Sequence, residues 1–156
     1  MTRHMLFLTT FALFGCGADK DDTETTTSDT ALFGSSIPID APVLRNCEAI
    51  CRLNNLGGGK NFFQWSVSCL YDDPQGADTV TSMGDVRITQ GESKIADVQM
   101  ICGIREDGTP RCEQRYGADN ISVSCQNEPE SYLWNFTIYD VDGNAGTAEV
   151  YGRVQG

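Results

Sequence analysis

Apolar and polar residues alternate one for one over several stretches of this chain, a period that suits strands and not helices. Phe63, Trp65, Val67, Cys69 and Tyr71 share one face of such a stretch, with Gln64, Ser66, Ser68 and Leu70 on the other. Ile121, Val123 and Cys125 alternate in the same way with Ser122, Ser124 and Gln126. Tyr132, Trp134, Phe136 and Ile138 form a third face, after which "DVDGNAG" turns the chain and Ala148, Val150 and Val154 return. Weaker patterns over 43–53, 84–89, 95–104 and 110–116 add further strands. No ten-residue window has a helical period and a cap. Turn sequences "NNLGGGKN", "DDPQGAD", "REDGTP" and "DVDGNAG" separate these runs. The pattern predicts an all-β fold: an antiparallel two-sheet sandwich of seven or eight short strands over residues 42–156.

The first part of the chain follows another rule. Arg3 precedes the apolar run "MLFLTTFALFG", which is too short to cross a bilayer with about 30 Å of hydrocarbon. Residues 1–15 therefore read as an export signal. "LFGC", ending at Cys16, resembles the lipobox of bacterial lipoproteins, which implies lipidation of Cys16 and anchoring of the mature chain to a membrane. Acids at Asp19, Asp21, Asp22, Glu24 and Asp29 and many Thr and Ser residues follow. Such a segment cannot bury enough apolar surface to offset ordering its backbone, so residues 16–41 are expected to be a disordered tether.

A resemblance also covers the β part. "YLWNFTIYDVDGNAGTAEVYG", together with "FQWSVSCLYDDPQGADTV", is similar to the last hairpin and second strand of bacterial immunoglobulin-like domains, in the group with PKD-like and cadherin-like modules. The combination of lipobox, acidic tether and one such domain resembles small lipoproteins of the myxobacterial type. It implies a sandwich in the bacterial cell envelope, periplasmic or at the cell surface, and names no ligand.

Charge narrows the partners. With 22 acids against 11 bases, the chain carries a net −11 and repels nucleic acid. Setting aside Cys16, six cysteines remain, an even number that reads as three disulfides in an exported domain. A hairpin turning near Gly58 sets Cys47 opposite Cys69, and one turning at Asp107 and Gly108 sets Cys102 near Cys112. Cys51 and Cys125 are left to each other. Zinc does not suit the irregular spacings, and there is no Cys-x2-Cys pair.

The only histidine, His4, lies in the expected signal, which removes the usual catalytic base. No phosphate loop, dinucleotide fingerprint or Gly-x-Ser-x-Gly is present. The expectation is thus a non-enzymatic module that binds an unknown protein or glycan, or acts as a spacer. The alternative is a small glycosidase-like enzyme, or an accessory subunit of one, working through a carboxylate pair. One cofactor merits a test. If the loop after the second strand and the loop before the last share one end, Asp72, Asp73, Asp78, Asp140 and Asp142 gather there with Asn144, and calcium would relieve their repulsion. If residues 110–116 form an eighth strand in the alternation, the two loops fall at opposite ends.

Overall fold

The computed structural model describes residues 40–55, 57–58 and 60–155. The expected signal, Cys16 and the tether as far as residue 39 lie outside the described residues. Eight strands follow in order: β1 Val43–Asn55, β2 Asn61–Asp72, β3 Met83–Gln90, β4 Ser93–Ile104, β5 Pro110–Gly117, β6 Tyr132–Tyr139, β7 Ala145–Tyr151 and β8 Arg153–Val154. Two 3-10 turns, Ala77–Thr79 and Pro129–Ser131, are the only helical pieces among the described residues. The folded part includes Ala41, which is 1% exposed although the tether was expected to run through it.

Alternation decides which side chains go inside. In β2, Trp65, Val67, Cys69 and Tyr71 are buried; in β6, Tyr132, Trp134, Phe136 and Ile138 are. The rings of Trp65 and Trp134 meet with centroids 4.9 Å apart and planes tilted by 47°. β2 and β6 are not neighbours in the ladder, so the sheet folds over on itself to bring them together. Burying two indoles removes about 150–250 Å² each from water, roughly 4–6 kcal/mol apiece at about 25 cal/mol per Å² before entropic costs.

All eight strands belong to one ladder in the order β7-β6-β3-β4-β5-β2-β1-β8. β4 pairs with β3 through Ser93–Ile101 and with β5 through Ile101–Ile104, so it passes from one neighbour to the other at Ile101. β7 pairs with β6, the chain breaks at Gly152, and β8 then pairs with β1. Consecutive pieces of chain thus stand at the two ends of the order, and the sheet is nearly barrel-like. Gly146 lets β7 lie against the Pro42 carbonyl, where a Cβ would collide with it. This protects an edge that would otherwise be open to pairing.

Two expectations are corrected. The β1–β8 pair is parallel, so the sheet is mixed and not antiparallel throughout. Residues 121–125 form turns and bends, not a strand. Ser122 has φ 55°, which breaks an extended course, yet Ile121, Val123 and Cys125 are still buried. The Trp65 indole N–H donates to the Val123 carbonyl at 2.9 Å, and the Val123 N–H donates to the Ala118 carbonyl at 3.2 Å. Anchoring of alternate residues, not strand pairing, produces the alternation.

The cysteines are joined as Cys47–Cys69, Cys51–Cys125 and Cys102–Cys112. The β1–β2 register from Glu48↔Ser68 onward places Cys47 beside Cys69, at a bulge between Arg45 and Glu48. Cys102 and Cys112 are direct partners, as are Cys69 and Cys112. Four cysteines therefore form one row across β1, β2, β5 and β4.

Candidate functional site

The acidic apex came from counting strands, and its two loops do meet. Because 121–125 is not a strand, β2 and β6 run in the same direction even though 110–117 is one. Val80 bridges to Asp140, the Thr81 N–H donates to the Tyr139 carbonyl at 2.8 Å, and the Val141 N–H donates to the Thr79 carbonyl at 2.9 Å. Their carboxylates do not converge. Asp140, 2% exposed, turns inward to its own hairpin, where its Oδ1 accepts from the N–H groups of Asp142 at 2.9 Å and Asn144 at 2.8 Å. Its Oδ2 accepts from the Asn144 amide at 2.7 Å. Burial pushes the Asp140 carboxyl up, but these hydrogen bonds outweigh it and hold the group below its ordinary value. Asp72 pairs with Arg45, and Asp73 caps the N–H of Gln75 at 2.8 Å. Asp78 and Asp142 are exposed. Among the described residues no three His, Cys, Asp or Glu side chains are placed to hold a metal ion. Asp140 and Asn144 are components of a turn, as short-range Asx chemistry favours.

A different place stands out on the outer face of β6, β3 and β4. There the sheet forms an open groove of about 790 Å³. The outward residues of three strands line it in rows set by register: Asn135, Arg87 and Asp97 in one, Thr137, Asp85 and Gln99 in the next. Leu133 and Thr89 border one end and Tyr139 the other. β6 and β3 are far apart in sequence, so only the fold brings these groups together.

The groove holds its polar groups in fixed positions. Arg87 Nε donates to Asp97 Oδ1 at 3.1 Å, and Lys94 Nζ donates to Asp97 Oδ2 at 2.8 Å. The Gln99 amide donates to Asp85 Oδ1 at 3.4 Å, and that of Asn135 to the Arg87 carbonyl at 3.5 Å. Beneath the face, the Tyr116 hydroxyl donates to the Gln99 carbonyl at 2.6 Å, and burial raises its pKa.

Two carboxylates in one groove invite the glycosidase reading. Glycoside hydrolysis needs one carboxyl group that stays protonated near neutral pH to serve as the acid. Asp97 is driven the other way, because hydrogen bonds from Lys94 and then Arg87 hold it below the ordinary carboxylate range. As placed, it accepts hydrogen bonds from both cations. What the arrangement does offer is an open, polar, partly prearranged surface of amide, carboxylate, guanidinium and hydroxyl groups.

Comparison with family models, curated proteins and solved structures gave no match. The groove residues were missed in the sequence. Their only signal there is the polar half of each alternation, which is shared by every solvent-facing strand.

Proposed function

We propose that this chain is a lipid-anchored binding module of the bacterial cell envelope, with an immunoglobulin-like two-sheet sandwich that binds a glycan in the β6-β3-β4 groove. The observation that carries it is the groove itself. Asp85, Asp97, Gln99 and Asn135 present planar acceptors and donors of the kind that hydrogen-bond to sugar hydroxyls, and Tyr139 offers a ring at the rim. Sites of a few hundred Å³ with convergent polar groups are the usual form of a small-ligand surface.

Topology supports the sandwich. The handover at Ile101 and the break at Gly152 divide the ladder into β7-β6-β3 and β5-β2-β1, the grouping that such domains have, with Trp65 and Trp134 packed between the two. The envelope location is supported by three disulfides, which persist in oxidising compartments, and by the lipobox-like ending at Cys16.

Titration calorimetry of the full-length, oxidised chain in detergent against a panel of neutral oligosaccharides is the test. An Asp85→Ala/Asn135→Ala variant should lose at least tenfold in affinity for any sugar that binds, with its circular dichroism unchanged. Binding that survives this change, or release of reducing ends on incubation, would overturn the reading.

A further inference from the structure

The opposite outer face, on β1, β2, β5 and the end of β4, has a different character. Between residues 40 and 155 the chain has nine Lys and Arg residues. Six of them are on or beside this face: Arg45, Arg52, Arg105, Arg111, Arg115 and Arg153. The other three are Lys60, Arg87 and Lys94. In a chain of net −11 this is a marked segregation of charge.

Register gives the layout. Arg153, Ile50, Ser66 and Arg115 form one row across β8, β1, β2 and β5. Glu48, Ser68, Glu113 and Ile101 form the next, and Arg45, Leu70, Arg111 and Gly103 a third. A groove of about 420 Å³ runs among them, with Ser66 and Ser68 between arginines contributed by β1, β5 and the end of β4. Some of the positive charge is already neutralised. Arg153 pairs with Glu48 at 2.9 Å, Arg105 and Arg111 pair with Glu113 at 2.8 and 3.8 Å, and Arg45 pairs with Asp72. Among the described residues no ion pair includes Arg52 or Arg115. The Nε atoms of Arg105 and Arg111 are buried and have no acceptor among the described residues.

We infer that this groove binds a linear, carboxylate-bearing glycan, a polyuronate, with Arg52 and Arg115 as the principal anion contacts and Ser66 as a hydroxyl partner, the Ser68 hydroxyl being given to Glu48 at 3.3 Å. Arg52 and Arg115 stand two strands apart and two residues out of register, about 12 Å between Cα atoms at ordinary strand geometry, and Arg111 is four residues along β5 from Arg115, about 13 Å away. A small anion can engage two of these guanidinium groups, whereas a chain with repeated acidic groups engages Arg52, Arg115 and Arg111 together. The serines are sunk between long side chains, where a flat bilayer surface does not reach. No aromatic side chain lines the groove, so nucleic-acid bases have nothing on which to stack. Guanidinium groups match carboxylates two oxygens at a time, which favours an acidic sugar over a neutral one. This site lies on a different face from the β6-β3-β4 groove and does not depend on it.

The test uses the full-length, oxidised chain in detergent, titrated with polygalacturonate, dextran, poly-glutamate and vesicles containing an anionic phospholipid. Polygalacturonate should bind, and binding should weaken as salt rises. The Arg52→Ala/Arg115→Ala variant should bind at least tenfold less tightly, the Arg52→Lys/Arg115→Lys variant should fall between, and Lys60→Ala should match the parent. Dextran, poly-glutamate or vesicle binding that equals that of polygalacturonate and is lost in the Arg52→Ala/Arg115→Ala variant would overturn the assignment of ligand class. Full binding by the double Ala variant would overturn the site. Loss of polygalacturonate binding in Asp85→Ala/Asn135→Ala alone would move the acidic glycan to the other groove, overturning this inference while leaving the proposed function in place.

Discussion

Cutting the Cys51–Cys125 bridge with Cys51→Ala/Cys125→Ala should cost more stability than cutting either other bridge. The separation it spans is 74 residues, against 22 for Cys47–Cys69 and 10 for Cys102–Cys112. In the chain-entropy treatment the losses are about 4.4, 3.4 and 2.7 kcal/mol in that order. Structure adds to the ranking. Residues 118–131 contain no strand, and the bridge is the one covalent tie between this segment and β1. The two bridges in the cysteine row, by contrast, join strands already held by ladder hydrogen bonds. Each double variant removes the same two sulfur atoms, so differences among them report loop closure. Urea titration followed by tryptophan fluorescence measures the effect, since Trp65 donates into the same segment at Val123. With a slope of about 1.5 kcal/mol per molar urea, the midpoint should fall by about 3 M for Cys51/Cys125 and about 1.8 M for Cys102/Cys112. A larger fall for Cys102/Cys112, or a loss under about 1 kcal/mol for Cys51/Cys125, would refute the reasoning.

Three further outcomes are expected. Gly152→Ala places a Cβ 2.6 Å from the Pro129 carbonyl oxygen and 2.7 Å from Trp65 Cη2, so it should destabilise by about 1–3 kcal/mol, and an unchanged melting temperature would contradict that contact. Trp65→Phe preserves most of the packing but leaves the Val123 carbonyl without its donor; the expected loss is about 1–3 kcal/mol in urea titration, and a neutral result would mean that the carbonyl finds another partner. The Asp140 carboxyl is held below its ordinary value when folded, so its stabilising contribution is complete above that value and disappears as pH falls through the lowered one. Urea midpoints measured from about pH 5 to about pH 2 should therefore decline less steeply in Asp140→Asn than in the parent, and parallel curves would show that other acids control the acid limb.

What could be read from the sequence was what depends on near neighbours. The Cys47–Cys69 and Cys102–Cys112 pairs follow from two hairpins, and a hairpin's register is set by its turn. The strands of Trp65 and Trp134 were legible because a half-buried strand writes its two faces into alternate residues. Residues 121–125 carry the same signature for another reason: Trp65 holds the Val123 backbone carbonyl, Cys51 holds Cys125, and periodicity cannot tell anchoring from pairing. The parallel β1–β8 contact has only two register pairs, Ile50↔Arg153 and Cys51↔Val154, and no local signal. Both grooves escaped the sequence because their rows combine strands joined through long-range pairing. The acidic loops show the reverse limit: they meet although 110–117 is a strand, because 121–125 is not one, and the direction of the Asp140 side chain depended on the N–H groups of its own turn.

The β1–β8 contact also determines how the domain responds to tension. The two strands are parallel, so pulling on the chain before β1 and after β8 slides them past each other and loads their hydrogen bonds together, including that from the Gln155 N–H to the Cys51 carbonyl at 2.9 Å. Once that clamp slips, the load runs from the front along the backbone through Cys47 to Cys51, carrying Cys69 with it, while from the back the chain can be drawn out only as far as Cys125, which is bonded to Cys51. Force then bypasses residues 52–124 through the Cys51–Cys125 bond. Pulled hard, the molecule would give up β6, β7 and β8 as slack and keep β2 to β5 shielded from the load until that bond is reduced.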